Sequence, residues 1–413
     1  MRIVYLNPCG KLGGAETSLR EILSSLRISE PDWDLRLVLG EDGSLAQIAR
    51  GLGVQVIIQP FPGQLGQLGD GGSALSTGLQ LAKAAGAVAR YRRELAALLR
   101  ELKPDLIHTN GFKMHLLGAL CRPSQVPLLW HIHDYVSSRR LASRLLRLAA
   151  GSCNHAIANS KSVARDLGSA LPELPVTTVY NAIDLRRFSP SGARLDLDAL
   201  SGLAPAVPGT VRVGLVATFA HWKGHDVFLQ AIARLANEVP VRGYIVGGPI
   251  YQTRGSQWSA EELRKRANEL CGTGRLGFTG FVEDSAAVMR SLDVVVHAST
   301  QPEPFGMVII EGMACGRAVI ASRSGGAAEL FSDGENALGH PAGDFEKLAD
   351  QIQRLAGDPE LRARLGHAGR STAERHYDSK RLARELRDLY RQVVPEADHE
   401  PAGSAAVLTA NRH

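Results

Sequence analysis

The stretch from Asp293 to Gly312 constrains the fold more tightly than any other part of the chain. Asp293-Val-Val-Val is a short β-branched run with no polar alternation, the pattern of a strand buried on both faces of a parallel sheet. Val308 to Ala314 reads as a helix. Between them, Pro302, Pro304 and Gly306 rule out regular structure and leave a stiff turn. A strand, a rigid loop and a helix start together make a favoured anion site in α/β proteins. The N–H groups of Gly306, Met307 and Val308 are expected to point out of the helix end, where the helix dipole adds partial positive charge.

Two carboxylates flank that site. Glu303 stands in the loop before it and Glu311 on the helix after it. Carboxylates repel phosphate, so they are better suited to accept hydrogen bonds from hydroxyls on either side of an anion. A sugar on one flank and a ribose on the other fit that arrangement. Each such charge-assisted bond is worth roughly 1.5–3 kcal/mol.

The spacing of Glu303 and Glu311, the Pro302-Glu-Pro-Phe-Gly306 loop and the following Gly312-Met-Ala-Cys-Gly316 resemble the E-x7-E motif of retaining glycosyltransferases of the family 4, or group 1, type. The resemblance covers roughly residues 1 to 395. It implies an α/β fold with two doubly wound Rossmann-like domains facing a cleft, known as GT-B. It also implies transfer of a sugar from a nucleotide donor, such as a UDP- or GDP-sugar, with retention of configuration. The acceptor would be a glycan, a lipid-linked molecule or a small molecule. Two alternatives remain open: a nucleotide-sugar 2-epimerase of the same form, and a non-catalytic protein that binds sugar nucleotides or glycans.

The rest of the chain is consistent with two such domains. Its 413 residues exceed one ordinary core. Strands are expected at 2–6, 35–39, 54–59, near 106 and 128, at 156 and at 176–180. A stretch rich in Pro, Gly, Ser and Ala then leads to further strands from Val211. Residues 1–190 are assigned to an acceptor-side domain, 191–210 to a linker and 211–379 to a nucleotide-sugar domain. A last helix, 380–395, is expected to pack back on the first domain. Residues 60–76 read as a long loop, and 396–413 as a disordered tail.

On these elements the resemblance places further site residues. The Gly13-Gly14 turn faces the acceptor through Gly13 and the donor phosphates through Gly14. His133 reaches the transferred sugar. Lys223 binds the donor diphosphate and serves catalysis with His133 and Glu303. Phe281 lies on the base side, Phe305 to Val308 surround the diphosphate, and Glu311 takes the ribose. The family's usual Arg is replaced here by Thr218, so His221 or another basic group would share the charge with Lys223. His108 and Asn110, polar groups at a strand end, are acceptor-side candidates. His131 is expected to face away from His133.

Between Asp134 and Asp166 no acidic residue occurs, while Arg139, Arg140, Arg144, Arg147, Lys161 and Arg165 do. Residues 137–150 form an amphipathic basic segment, so a peripheral contact with an anionic membrane is expected there. Net charge is +5, and no aromatic-interleaved basic stretch points to nucleic acid. The five cysteines lie far apart with no zinc spacing, which fits a reducing cytosol. The first residues read as a strand and not as a signal peptide, so a cytoplasmic location is expected, with peripheral attachment to the inner face of the membrane. No metal or cofactor is implied. Asp32-Trp-Asp34 and Asp196-Leu-Asp198 resemble metal-binding pairs only by accident of spacing.

Overall fold

The computed structural model describes residues 1–62, 78–235, 239–249, 257–272 and 274–394. The expected tail and most of the expected loop at 60–76 lie outside these residues. Two parallel sheets organise the chain. The first contains β1 (Arg2–Asn7), β2 (Asp34–Leu39), β3 (Gln55–Ile58), β4 (Leu106–Asn110), β5 (Leu128–Ile132), β6 (His155–Ala158) and β7 (Val176–Thr178). Its strand order is β3-β2-β1-β4-β5-β6-β7. The second contains β8 (Val211–Val216), β9 (Val241–Val246), β10 (Leu276–Gly280), β11 (Val294–His297), β12 (Ala318–Ser322) and β13 (Leu338–His340), in the order β10-β9-β8-β11-β12-β13.

Both sheets have central strands that are buried along their whole length, apolar at most positions. Strand β11 is buried at every position, and β4, β5 and β12 likewise. Helices on both faces require this, because neither face of such a strand meets water. Chain order reverses between β1 and β4 in the first sheet and between β8 and β11 in the second. Val294 and Val296 of β11 pair with Val213 and Leu215 of β8. Loops leaving the carboxyl ends of strands at such a reversal diverge and open a crevice, the place where doubly wound sheets bind ligands. The loop after β8 carries Thr218 and Lys223. The loop after β11 carries Glu303.

The C-terminal helix Ser379–Val393 lies on the first domain. Leu382, Ala383, Leu386, Leu389 and Tyr390 pack with Ile3, Tyr5, Leu19 and Leu23 in one buried cluster. The segment joining the sheets is strapped to the second domain instead of hanging free. Asp198, in the short helix Leu197–Leu200, accepts from Arg242 and from the Tyr244 hydroxyl, both at 2.6 Å. Burial pushes the Asp198 carboxyl up, yet those partners outweigh it and hold it down to about 2. Asp34 of the other pair is occupied by Arg2 and Arg36, each at 2.8 Å.

Candidate active site

A cleft of about 1220 Å³ separates the carboxyl ends of the two sheets. Gly14, His133, Thr218, Lys223, Glu303, Phe305, Gly306, Met307, Val308 and Glu311 all border it. Residues more than two hundred positions apart thus meet in one space.

The turn between β11 and the helix after it forms as the local sequence dictates. Gly306 caps the helix Met307–Ala314 with φ 100°, a left-handed conformation that a side chain would strain. Ile309 N donates to the Gly306 carbonyl at 3.0 Å and closes this turn. Among the described residues no acceptor faces the N–H groups of Gly306, Met307 and Val308. Glu311 follows on the second turn, half-buried. Burial pushes its carboxyl up to about 7, against the opposing pull of Arg187 and Arg20.

Glu303 is 7% exposed and heavily engaged. Lys223 Nζ donates to its two carboxylate oxygens at 2.9 and 2.8 Å. Ser299 Oγ donates to Oε2 at 2.7 Å, and His297 Nε2 lies 3.4 Å from the same oxygen. Burial pushes the Glu303 carboxyl up, but Lys223 and His297 outweigh that and hold it well below the usual carboxylate range. Its loop is also anchored through the backbone, where Gly326 N donates to the Glu303 carbonyl at 2.7 Å. Gly325 must be glycine here. Its φ is 67°, and a Cβ would stand 2.4 Å from the Tyr135 hydroxyl.

His133 enters from the first domain. Its Nε2 lies 3.0 Å from Asn110 Oδ1. With that oxygen facing the ring, Nε2 carries the proton and Nδ1 keeps a lone pair. Burial pushes His133 down to about 4, so the ring is uncharged at neutral pH.

Several expected residues are placed differently. His131 does not face away from His133, because residues two apart on an extended chain share a side; the two rings lie 4.0 Å apart. His108 is fully buried and does not border the cleft. Its Nδ1 lies 2.7 Å from the Tyr390 hydroxyl of the C-terminal helix, and its Nε2 lies 3.3 Å from His131. Asn110 is buried behind His133, and Gly13 stands outside the cleft wall as the cap of the helix Gly14–Ser29. Phe281 is 72% exposed, turned away after Gly280 at φ 73°. The Phe305 ring is buried among Tyr180 and Tyr377, so only its backbone is suited to a ligand. His221 packs against Trp258 and does not share the cleft with Lys223. Arg139 borders the cleft on the first-domain wall, paired to Asp134 at 3.3 Å.

Sequence reasoning missed His297, Ser299, Tyr135, Arg139 and Glu329. One signal was available for the first two. They stand two residues apart at the carboxyl end of β11, hence on one side. Glu329 stands at the end of the short helix Gly326–Glu329. It accepts from Lys161 N at 2.9 Å, Ser162 N at 2.7 Å and the Tyr180 hydroxyl at 3.0 Å, capping the helix Lys161–Ala170 of the opposite domain. Among the described residues, no group of three or more His, Cys, Asp or Glu could hold a metal ion, and no helix is long and apolar enough to cross a membrane.

Comparison with known proteins bears on this cleft. The profile of Glycosyltransferase Family 4 matches residues 12–187, and that of Glycosyl transferases group 1 matches residues 210–358. A D-inositol 3-phosphate glycosyltransferase of Saccharomonospora viridis is 30% identical over 70% of this chain and 70% of its own. An enzyme of the same name from Corynebacterium urealyticum is 26% identical over 87% of this chain and 92% of its own. Among solved structures, Anabaena Alr3699/HepE in complex with UDP-glucose superposes with a TM-score of 0.74 at 26% identity, covering 94% of this chain and 99% of that one.

Proposed function

The chain belongs to the group 1 glycosyl transferases of glycosyltransferase family 4, enzymes of GT-B fold that use nucleotide-sugar donors, and we propose that it transfers its sugar with retention of configuration. One observation carries this reading. Unpaired amides at Gly306–Val308, the Lys223 ammonium, two differently tuned carboxylates and a neutral His133 converge on one cleft between two doubly wound domains.

In this reading the donor diphosphate lies on the Gly306, Met307 and Val308 amides, with Lys223 close by. Glu311 accepts the ribose hydroxyls, and Glu303 and His133 hold the sugar from opposite walls. The bond between the anomeric carbon and the diphosphate oxygen breaks as an acceptor oxygen attacks from the same face. The acceptor proton passes to the departing diphosphate. Charge grows on that group in an oxocarbenium-like transition state. Fixed amides and Lys223 stabilise it without reorganising at the moment of reaction. No metal is assigned to the donor, because these groups supply the positive potential.

A UDP- or GDP-sugar is the proposed donor class, as UDP and UDP-glucose are bound by the HepE neighbour. A peripheral position on an anionic membrane, at the cytoplasmic face, is part of the same reading. It is supported by the helix Arg140–Ala149, where Leu141, Leu145 and Leu148 are 72%, 37% and 85% exposed, beside Arg144 and Arg147.

The test is product analysis over a panel of nucleotide sugars, with and without candidate acceptors, reading the anomeric configuration by NMR. A product of unchanged configuration, formed only with acceptor, supports the reading. Inverted product overturns retention. Conversion of donor alone into an epimer would assign a 2-epimerase instead.

A further inference from the structure

The two walls of the cleft meet at one phenol. Tyr135 stands two residues after His133, in the first-domain loop that leaves β5, and borders the cleft half-buried. Its hydroxyl crosses to the second domain, 3.3 Å from the main-chain carbonyl of Glu303. Ser162 Oγ, at the start of the helix Lys161–Ala170, lies 3.0 Å from the same phenol oxygen. A carbonyl can only accept, so the phenol donates to Glu303 and the Ser162 hydroxyl donates to the phenol. Burial pushes the Tyr135 hydroxyl above its ordinary value, so it keeps the proton this bond needs.

The Glu303 carbonyl is thereby gripped from both domains. Gly326 N donates to it at 2.7 Å from within the second domain, and Tyr135 donates from the first. These two bonds use both lone pairs of the oxygen. Two glycines make the approach possible. A Cβ on Gly325 would displace the Tyr135 hydroxyl and stand 2.6 Å from the Glu303 carbonyl oxygen. A Cβ on Gly326 would overlap the Pro304 carbonyl and stand 2.7 Å from Ser160 Oγ of the first domain. A side chain at either place would hold the first domain away from the loop that carries Glu303. Ser162 is itself held across the boundary, because its N–H donates to Glu329 at 2.7 Å.

This contact joins the two groups that face each other across the cleft. His133 and Tyr135 share one loop. The carbonyl that Tyr135 grips belongs to the residue whose carboxylate Lys223 and Ser299 fix. We propose that Tyr135 is a positioning residue, which ties the main chain of Glu303 to the His133 loop so that both side chains meet the donor sugar at one fixed separation. This deepens the transferase reading and rests on it. A misplacement of about 1 Å at a reacting centre can cost about 100-fold in rate. A single hydroxyl at this junction therefore matters more to turnover than to folding.

The experiment compares wild type with Tyr135→Phe, which removes the hydroxyl and keeps the ring. UDP calorimetry and thermal unfolding read whether the variant is folded and binds nucleotide. A panel of UDP- and GDP-sugars identifies the donor, and kcat, donor KM and the single-turnover rate are then measured with it. The variant should lose about tenfold or more in kcat and in the single-turnover rate, with donor KM and UDP affinity within about twofold of wild type. In a Glu303→Ala background the same substitution should cost much less, because no carboxylate is left to position. Equal rates in wild type and Tyr135→Phe overturn the proposal. So does a loss of the same size in both backgrounds, or a parallel fall of rate, UDP affinity and Tm, each of which marks a merely structural contact. Wild-type protein that turns over no donor overturns the transferase reading, and the positioning role with it.

Discussion

The Lys223 ammonium lies 2.8 Å from the Glu303 carboxylate, joining the loop after β8 to the loop after β11 across the crevice of the second sheet. Both side chains are largely buried, and the Lys223 ammonium helps to hold the Glu303 carboxyl below the usual carboxylate range. Removing one leaves the other as an unpaired buried charge. Lys223→Met and Glu303→Gln should each lower stability. The double variant should recover part of the loss, with a coupling of about 1–3 kcal/mol in a thermal or urea cycle. Glu303 is depressed in the folded state, so its contribution is present above the ordinary carboxylate range and lost as pH falls below it. The wild-type curve should therefore steepen in acid relative to Glu303→Gln. Equal acid sensitivity would separate Glu303 from the pair.

Glu311 has the opposite sign. Its carboxyl is raised to about 7, so the folded chain holds a proton there more tightly than the unfolded chain does. Stability from this group is present at acidic pH and lost as pH rises through about 7. Glu311→Gln should therefore stabilise the protein at pH near 8 by up to about 3 kcal/mol, and much less near pH 5. UDP affinity should rise between pH 6 and 8 in the wild type, because an ionised carboxylate accepts ribose hydroxyls more strongly, and stay flat in the variant. Isothermal titration at several pH values checks both.

His133 and Asn110 offer a contrast between a group that touches the sugar and one that acts through it. His133→Ala should lower turnover by about 100-fold or more, with a much smaller change in UDP affinity. Asn110→Ala frees the ring to rotate and should cost about tenfold in kcat, less than His133→Ala. Steady-state kinetics with the identified donor, alongside UDP titration, distinguishes the two. Since His133 is already neutral above about 4, its titration should leave no inflection in the rate profile near pH 6 to 7.

Glu329 ties the domains together by capping a helix it does not belong to. The carboxylate meets two free amides and the positive end of the helix dipole at Lys161–Ala170. Glu329→Ala should loosen the contact between the domains and cost about 1–2 kcal/mol in domain docking. Small-angle scattering should show a larger radius of gyration in the variant, with the far-ultraviolet circular dichroism unchanged. An identical radius would mean that the docking does not depend on this cap.

Much of the second-domain site is legible in the sequence because it is local. Glu303, Gly306 and Glu311 lie within one strand–loop–helix unit, where two prolines and a left-handed glycine leave few conformations. The helix and strand predicted there are present at Met307–Ala314 and Val294–His297. The expectation that His131 faces away from His133 failed for an equally local reason. Side chains two apart on an extended chain share a side, and the two rings lie together. Arg139 borders the cleft although it belongs to a run of arginines, and periodicity alone gives no reason to place one of them there.

Residue order by itself determined the two α/β halves, the anion cradle and the chemistry its flanking acids can perform, since each depends on neighbours within a few residues. Tertiary structure decided which distant groups complete them. Sheet order sets Lys223 against Glu303, domain docking sets Glu329 on Ser162, and the returning C-terminal helix places Tyr390 against His108 and keeps that histidine out of the cleft. Such contacts join segments whose spacing along the chain carries no trace of their meeting. They arise from the burial of two apolar sheets against their helices, and only the folded arrangement of those layers fixes which side chains face one another.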